Sequence, residues 1–83
     1  MFLEIITPEK KLFSGETELV KLPGSAGYFE ILMNHSPIIS TLIEGKIKVK
    51  EASGTISYFD IKEGVVEALN NKIVVLVDSS GMV

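Results

Sequence analysis

Lys46-Ile47-Lys48-Val49-Lys50 alternates charged and apolar residues without a break. Ser53-Gly54 and then Thr55-Ile56-Ser57-Tyr58-Phe59-Asp60-Ile61 follow it, and this stretch decides the fold class. A strict period of two is the pattern of a strand with one face in water. The following β-branched and aromatic run across a Ser-Gly break reads as its hairpin partner. Working toward the C-terminus, Gly64 opens Val65-Val66-Glu67-Ala68-Leu69, Asn70-Asn71 supplies a turn, and Ile73-Val74-Val75-Leu76-Val77 returns. Asparagine tolerates positive φ, so Asn70-Asn71 suits a two-residue connection. Toward the N-terminus the runs are Phe2 to Thr7, closed by Pro8, a short piece from Lys10 to Gly15, and Glu16 to Leu22, which stops at Pro23-Gly24. Tyr28 to Met33 and Ile38 to Ile43 follow, on either side of Asn34-His35-Ser36-Pro37. Breakers recur every 8–12 residues or so, and no segment holds a 3.6 period over three turns. Eight or nine short strands in 83 residues predict an all-β sandwich or flattened barrel in a single domain.

Composition narrows the function classes. A chain of 83 residues with 46% apolar and 23% charged content can build one modest core and is not of the disordered class. The net charge is −3 and all eight basic residues are lysines, so the bidentate readers of bases and phosphates are missing and nucleic-acid binding is not expected. Without cysteine there is no disulfide framework and no thiolate metal site. The longest apolar run, Ile73 to Val77, is far short of the roughly 20 residues of a membrane-spanning helix. The first residues, Met-Phe-Leu-Glu-Ile-Ile, carry no targeting pattern, so the protein is expected to start at Met1 and stay where it is made.

Groups that could do chemistry are few. His35 is the only histidine, no serine stands in a Gly-x-Ser-x-Gly turn, and Ser36 adjoins His35 on backbone whose successive side chains point apart. The simplest role for His35 is to cap backbone polar groups in a loop. The carboxylates are scattered and lack calcium-loop spacing. Pro23-Gly24-Ser25-Ala26-Gly27 has the glycines of a phosphate loop without its Lys-Ser/Thr ending or a following helix. Lys46, Lys48 and Lys50 share one strand face, where lysines solvate the sheet or meet an acidic partner. What remains is apolar: Met33, Ile38, Ile39, Leu42 and Ile43 exceed the needs of one core face, and two or three of them are expected to face outward as a partner surface.

An ordered set of short matches runs through nearly the whole chain: Phe13-Ser14-Gly15, Val20 and Leu22 before the 23–27 turn, Phe29 and Ile31, His35-Ser36-Pro37, Leu42 and Gly45, Ile47 and Val49, Gly64-Val65-Val66-Glu67, and residues 71–76. In this order the chain resembles the epsilon subunit of the F-type proton-translocating ATP synthase (delta in mitochondria). The resemblance implies a β-sandwich of roughly ten strands. It also implies a non-catalytic rotor subunit, without cofactor or metal, that joins the gamma subunit to the c-ring and couples proton flow to ATP synthesis. Residue by residue, it puts Ser25, Ala26, Gly27, Tyr28, Glu30, Met33 and His35 against the c-ring, and Thr7, Ile38 and Ser40 against gamma. The chain departs from the family pattern at Tyr28, where an acidic residue is usual, and at Glu30 and Met33, where glycine and proline are. The expected location is the cytoplasmic face of the bacterial plasma membrane, with the membrane reached only through partners.

Family members usually carry a helical hairpin after the sandwich, and this sequence ends at Val83, just past the last strand run. Five residues from Ser79 to Val83 span at most about 18 Å, so neither nucleotide binding nor the arm-dependent brake on hydrolysis is expected. The alternatives are an enzyme or ligand-binding barrel, which needs a pocket with convergent polar groups, and a free-standing β-sandwich interaction module.

Overall fold

A computed structural model of the chain describes residues 1–78; the tail of residues 79–83, to which the reach argument above applies, lies outside the described residues. Eight strands run in chain order: β1 (Phe2–Ile6), β2 (Lys11–Gly24), β3 (Gly27–Leu32), β4 (Ile38–Leu42), β5 (Gly45–Glu51), β6 (Ile56–Ile61), β7 (Glu63–Leu69) and β8 (Lys72–Asp78). The all-β expectation holds, with eight strands where the resemblance suggested about ten. The largest difference in segmentation is β2, a single strand of 14 residues where the sequence suggested two. Gly15 does not break it. Instead the pairing with β5 slips between Thr17 and Leu19, and a bulge of this kind bends a strand without ending it.

That long strand joins the two layers. Its first half pairs with β1 (Phe2↔Glu16 to Ile6↔Lys11), and its second half lies between β3 (Leu19↔Leu32 to Gly24↔Gly27) and β5 (Val20↔Val49). One layer is therefore β3-β2-β5-β6, and the other is β2-β1-β8-β7-β4. The second layer returns to β2 through the Gly24↔Leu42 pair. Among the described residues only β1 and β8 run parallel. Pro23 sits past the last residue of β2 paired with β5 (Lys21↔Lys48), so its missing N–H interrupts no bond of that ladder.

Alternate residues of each strand point between the layers. Leu3 and Ile5, Val20 and Leu22, Ile31, Ile47 and Val49, Ile61, Val66, and Ile73 and Val75 are all buried. Phe13 and Phe59 meet edge to face at 6.1 Å beside them. The turn chemistry is as the sequence predicts. Asn70 (φ 52°) and Asn71 (φ 60°) are both left-handed and form the two-residue β7–β8 connection. Gly64 is required by close approach, since a Cβ there would lie 2.5 Å from the Leu76 carbonyl oxygen. The domain measures 33 × 26 × 19 Å with a Cα radius of gyration of 11.5 Å.

Candidate interaction surfaces

The strand register gives the domain two ends. At one, the β2–β3 turn meets the end of β4: the Ser25 N–H donates to the Thr41 carbonyl at 3.3 Å, and the Thr41 hydroxyl donates to Ser25 Oγ at 3.3 Å. The ends of β1 and β8 lie in the same register, through Thr41↔Val65, Val65↔Leu76 and Ile6↔Leu76. At the other end, the β3–β4 connection is clasped to the β7–β8 turn. Asn34 N–H donates to Asn71 Oδ1 at 2.7 Å, and Asn71 Nδ2 donates to Asn34 Oδ1 at 3.0 Å.

The seven residues expected to meet the c-ring divide between these ends. Ser25, Ala26, Gly27, Tyr28 and Glu30 are exposed on the β2–β3 turn and along the outer face of β3. Met33 and His35 are exposed beyond the far end of β3, a strand whose six residues span about 17 Å at the rise of extended backbone. They are neighbours in sequence, and the extended backbone between them carries them apart. His35 caps a backbone group, as its residue type suggested: its Nδ1 lies 2.7 Å from the Ser36 carbonyl oxygen. Tyr28 is not a free loop residue. Its hydroxyl accepts from Lys46 N–H at 3.2 Å, and Lys21 Nζ stands 5.5 Å from the ring centroid, a cation–π contact.

The three residues matched to gamma lie differently from a simple exposed patch. Thr7 is buried, with its hydroxyl donating to the Lys10 carbonyl and accepting the Lys10 N–H, both at 3.0 Å. Ile38 and Ser40 occupy the inward parity of β4, opposite buried Ala68 and Val66. The outward residues are their neighbours Ile39 and Thr41. Of the five apolar residues around this segment, Met33, Ile39 and Ile43 are exposed, Ile38 packs against the core, and Leu42 is buried. That is three outward-facing residues, at the upper end of the expectation.

The outer face of β4, β7 and β8 was not anticipated. Cross-strand pairs Ile39↔Glu67, Thr41↔Val65, Glu67↔Val74 and Val65↔Leu76 bring its side chains together. Ile39 is 73% exposed, Leu76 54%, Leu69 51% and Val65 41%. Ile39, Val65, Glu67, Val74 and Leu76 line a shallow depression of about 230 Å³. A groove of about 330 Å³ beside it, between Pro37, Ile39 and Leu69, extends the same surface toward the Asn34–Asn71 clasp. Large aliphatic side chains gathered on one sheet face mark an interaction site.

The opposite sheet presents a different face. Lys46 Nζ bonds Asp60 Oδ1 at 2.7 Å, and Lys50 Nζ bonds Glu18 Oε1 at 3.0 Å. The hydrogen bond to Asp60, aided by that carboxylate's charge, holds the Lys46 ammonium above its ordinary pKa. Most of the lysine stripe is thus occupied within the domain. Among the described residues no three His, Cys, Asp or Glu side chains gather as a metal site.

Comparison with known proteins agrees with this architecture. The family described as the ATP synthase delta/epsilon chain β-sandwich domain matches residues 1–81. The ATP synthase epsilon chain of Caulobacter vibrioides is 44% identical over 64 residues, covering 77% of this chain and 73% of that one. That of Desulfatibacillum aliphaticivorans is 38% identical over 80 residues, covering 96% and 57%, and that of Chlorobium limicola is 36% identical over 76 residues, covering 92% and 86%. The chain thus spans little more than half the length of some relatives and most of others. In fold it is similar to a chain in the Euglena gracilis mitochondrial ATP synthase OSCP/F1/c-ring structure, with a TM-score of 0.85 at 14% identity over 90% of this chain and 48% of that one. The sequence match over nearly the full length shows that this chain belongs to the ATP synthase delta/epsilon family, as its β-sandwich domain.

Proposed function

We propose that this chain is a rotor subunit at the foot of the central stalk of a proton-translocating F-type ATP synthase. It joins the gamma subunit to the c-ring and transmits rotation while doing no chemistry itself. As an epsilon-type sandwich domain it is a stalk component and not a catalytic one. The observation that carries the reading is the apolar outer face of β4, β7 and β8, centred on Ile39 and Leu76. In a subunit without chemistry, a flat aliphatic face is what a permanent partner covers. We assign that face to gamma. Met33 and His35 extend it, being continuous with Leu69 at the clasped end. The polar turn of Ser25, Ala26 and Gly27, with Tyr28 and Glu30, is assigned to the c-ring, where loop-to-loop contacts suit polar groups. The domain then sits on the cytoplasmic side of the membrane and reaches it only through these partners.

Affinity-tagged chain expressed in its own cell is expected to bring down the ATP synthase, gamma and c subunits included, from gently solubilised membranes. Ile39→Asp places a charge in the centre of the proposed contact and should abolish that recovery while leaving the fold intact. Recovery of the tagged wild-type chain alone would refute the reading in favour of a free-standing interaction module.

A further inference from the structure

The apolar face is flanked by Thr41 and Lys72 and carries one carboxylate among its aliphatic side chains. Glu67 lies at its middle, between Ile39 on β4 and Val74 on β8, with Val65 and Leu69 two residues away along its own strand. Among the described residues its carboxylate has neither a hydrogen bond nor an ion pair. The only other carboxylate in that cross-strand row, Glu4, is held by Lys11 at 2.8 Å. The residues directly opposite Glu67 on this face are aliphatic; Lys72, diagonal to it on β8, makes no ion pair with it and lends its charge to Glu4, so among the described residues Glu67 is left without a cation of its own. A partner that covers the face removes water from this carboxylate. Burying an unpaired ion is strongly unfavourable, and a flat aliphatic partner would therefore be rejected by this single residue.

We infer that the occupant of this face carries a basic side chain, set among apolar ones, that pairs with Glu67 at the centre of the interface. The inference rests on the assignment of the face to gamma and adds the chemistry the partner must present. Arginine fits best, because its planar fork can satisfy both carboxylate oxygens while its weakly hydrated plane lies among Ile39, Val65 and Val74. The aliphatic ring excludes water around the pair, an arrangement found at interface hot spots. Glu67 then serves specificity as much as affinity: partner faces without a matching cation are excluded by it.

The test titrates the ATP synthase complex stripped of this subunit with wild-type chain, Glu67→Gln, Glu67→Leu and Ile39→Asp. Circular dichroism and thermal unfolding confirm that each is folded. Glu67→Gln is expected to bind about thirtyfold or more weakly, the lower end of what truncating one member of a buried interfacial pair costs. Its affinity should also depend less on salt than the wild type's. Glu67→Leu should bind no better than Glu67→Gln. Wild-type affinity in Glu67→Gln, or tighter binding in Glu67→Leu, would overturn the inference while leaving the docking face in place. Unimpaired binding by Ile39→Asp would instead remove the face assignment itself.

Discussion

The clasp between Asn34 and Asn71 can be taken apart one bond at a time. Both residues have positive φ, 65° and 60°, so glycine can replace either without the strain that other residues meet there. Asn71→Gly removes both hydrogen bonds, because Asn71 supplies the acceptor for one and the donor for the other. Asn34→Gly removes only the second, since its own backbone N–H still reaches Asn71 Oδ1. At about 0.5 kcal/mol per exposed bond, Asn71→Gly loses about 1 kcal/mol and Asn34→Gly about half of that. Each adds a few tenths for the looser unfolded chain. The double variant should cost little more than Asn71→Gly alone, because the bond that Asn34 would lose is already gone. Urea unfolding of the four proteins gives a coupling energy of about 0.5 kcal/mol. Asn71→Ala should be worse than Asn71→Gly by about 1 kcal/mol, the left-handed penalty. Hydrogen exchange in residues 33–37 should quicken in Asn71→Gly. Strict additivity of the two glycine variants, or equal stability of Asn71→Ala and Asn71→Gly, would refute the reasoning.

The remaining predictions concern the core, the β7–β8 contact and pH. Leu22→Ala removes a fully buried side chain and should cost about 2–5 kcal/mol by denaturant titration. Gly64→Ala drives a methyl group to 2.5 Å from the Leu76 carbonyl oxygen and 3.0 Å from Val77 Cγ1; it should cost about 1–3 kcal/mol, as overpacking does, and a change within thermal-unfolding error would contradict the close approach. The Lys11 hydrogen bond lowers the Glu4 pKa below its usual 4.5, Lys11 and Lys72 charges adding to it against desolvation. A depressed carboxylate contributes stability that is fully present above the unfolded value and is lost as pH falls through the folded one. Lys11→Met should therefore flatten the stability-versus-pH curve below pH 4.5 and leave its shape at neutral pH unchanged.

How much of this was legible depended on whether charge marked the outward side of a strand. In β5 the lysines at 46, 48 and 50 identify the wet face, and Ile47 and Val49 are buried as the alternation requires. In β7 the Glu67-Ala68 step sets the parity, and in β8 the outward set 72, 74, 76 and 78 is bracketed by Lys72 and Asp78. Val65, Val74 and Leu76 could thus have been read as outward-facing from those charges alone. In β4 no such marker exists. Ile38-Ile39 and Ser40-Thr41 are two like pairs, and a shift of one residue exchanges the faces. Residue matching therefore singled out Ile38 and Ser40, while the backbone turns Ile39 outward. The merger of two short runs into β2 was equally hidden, because a bulge leaves no distinctive residue behind.

The division of the Ser25–His35 segment follows from a length that linear order conceals. A loop keeps sequence neighbours together, but a strand of six residues separates its ends by about the width of a small partner domain. Once residues 27–32 are a strand, Ser25 and His35 must serve different surroundings. Ser25 is tied to Thr41 and stands among polar turns, whereas the His35 loop is tied to Asn71 and adjoins Leu69 and the aliphatic face. The two sites are also of different chemistry: one offers hydroxyls, a phenol and a carboxylate, and the other offers aliphatic surface with one central charge. If the proposed gamma and c-ring assignments hold, this difference in chemistry keeps the two partners on separate sites. In the proposed role, rotation transmitted between the two contacts would pass through the β4–β7–β8 pairing and the long β2. Because β2 pairs with β1, β3, β4 and β5, the two proposed contacts are joined by continuous strand pairing and not by a loop.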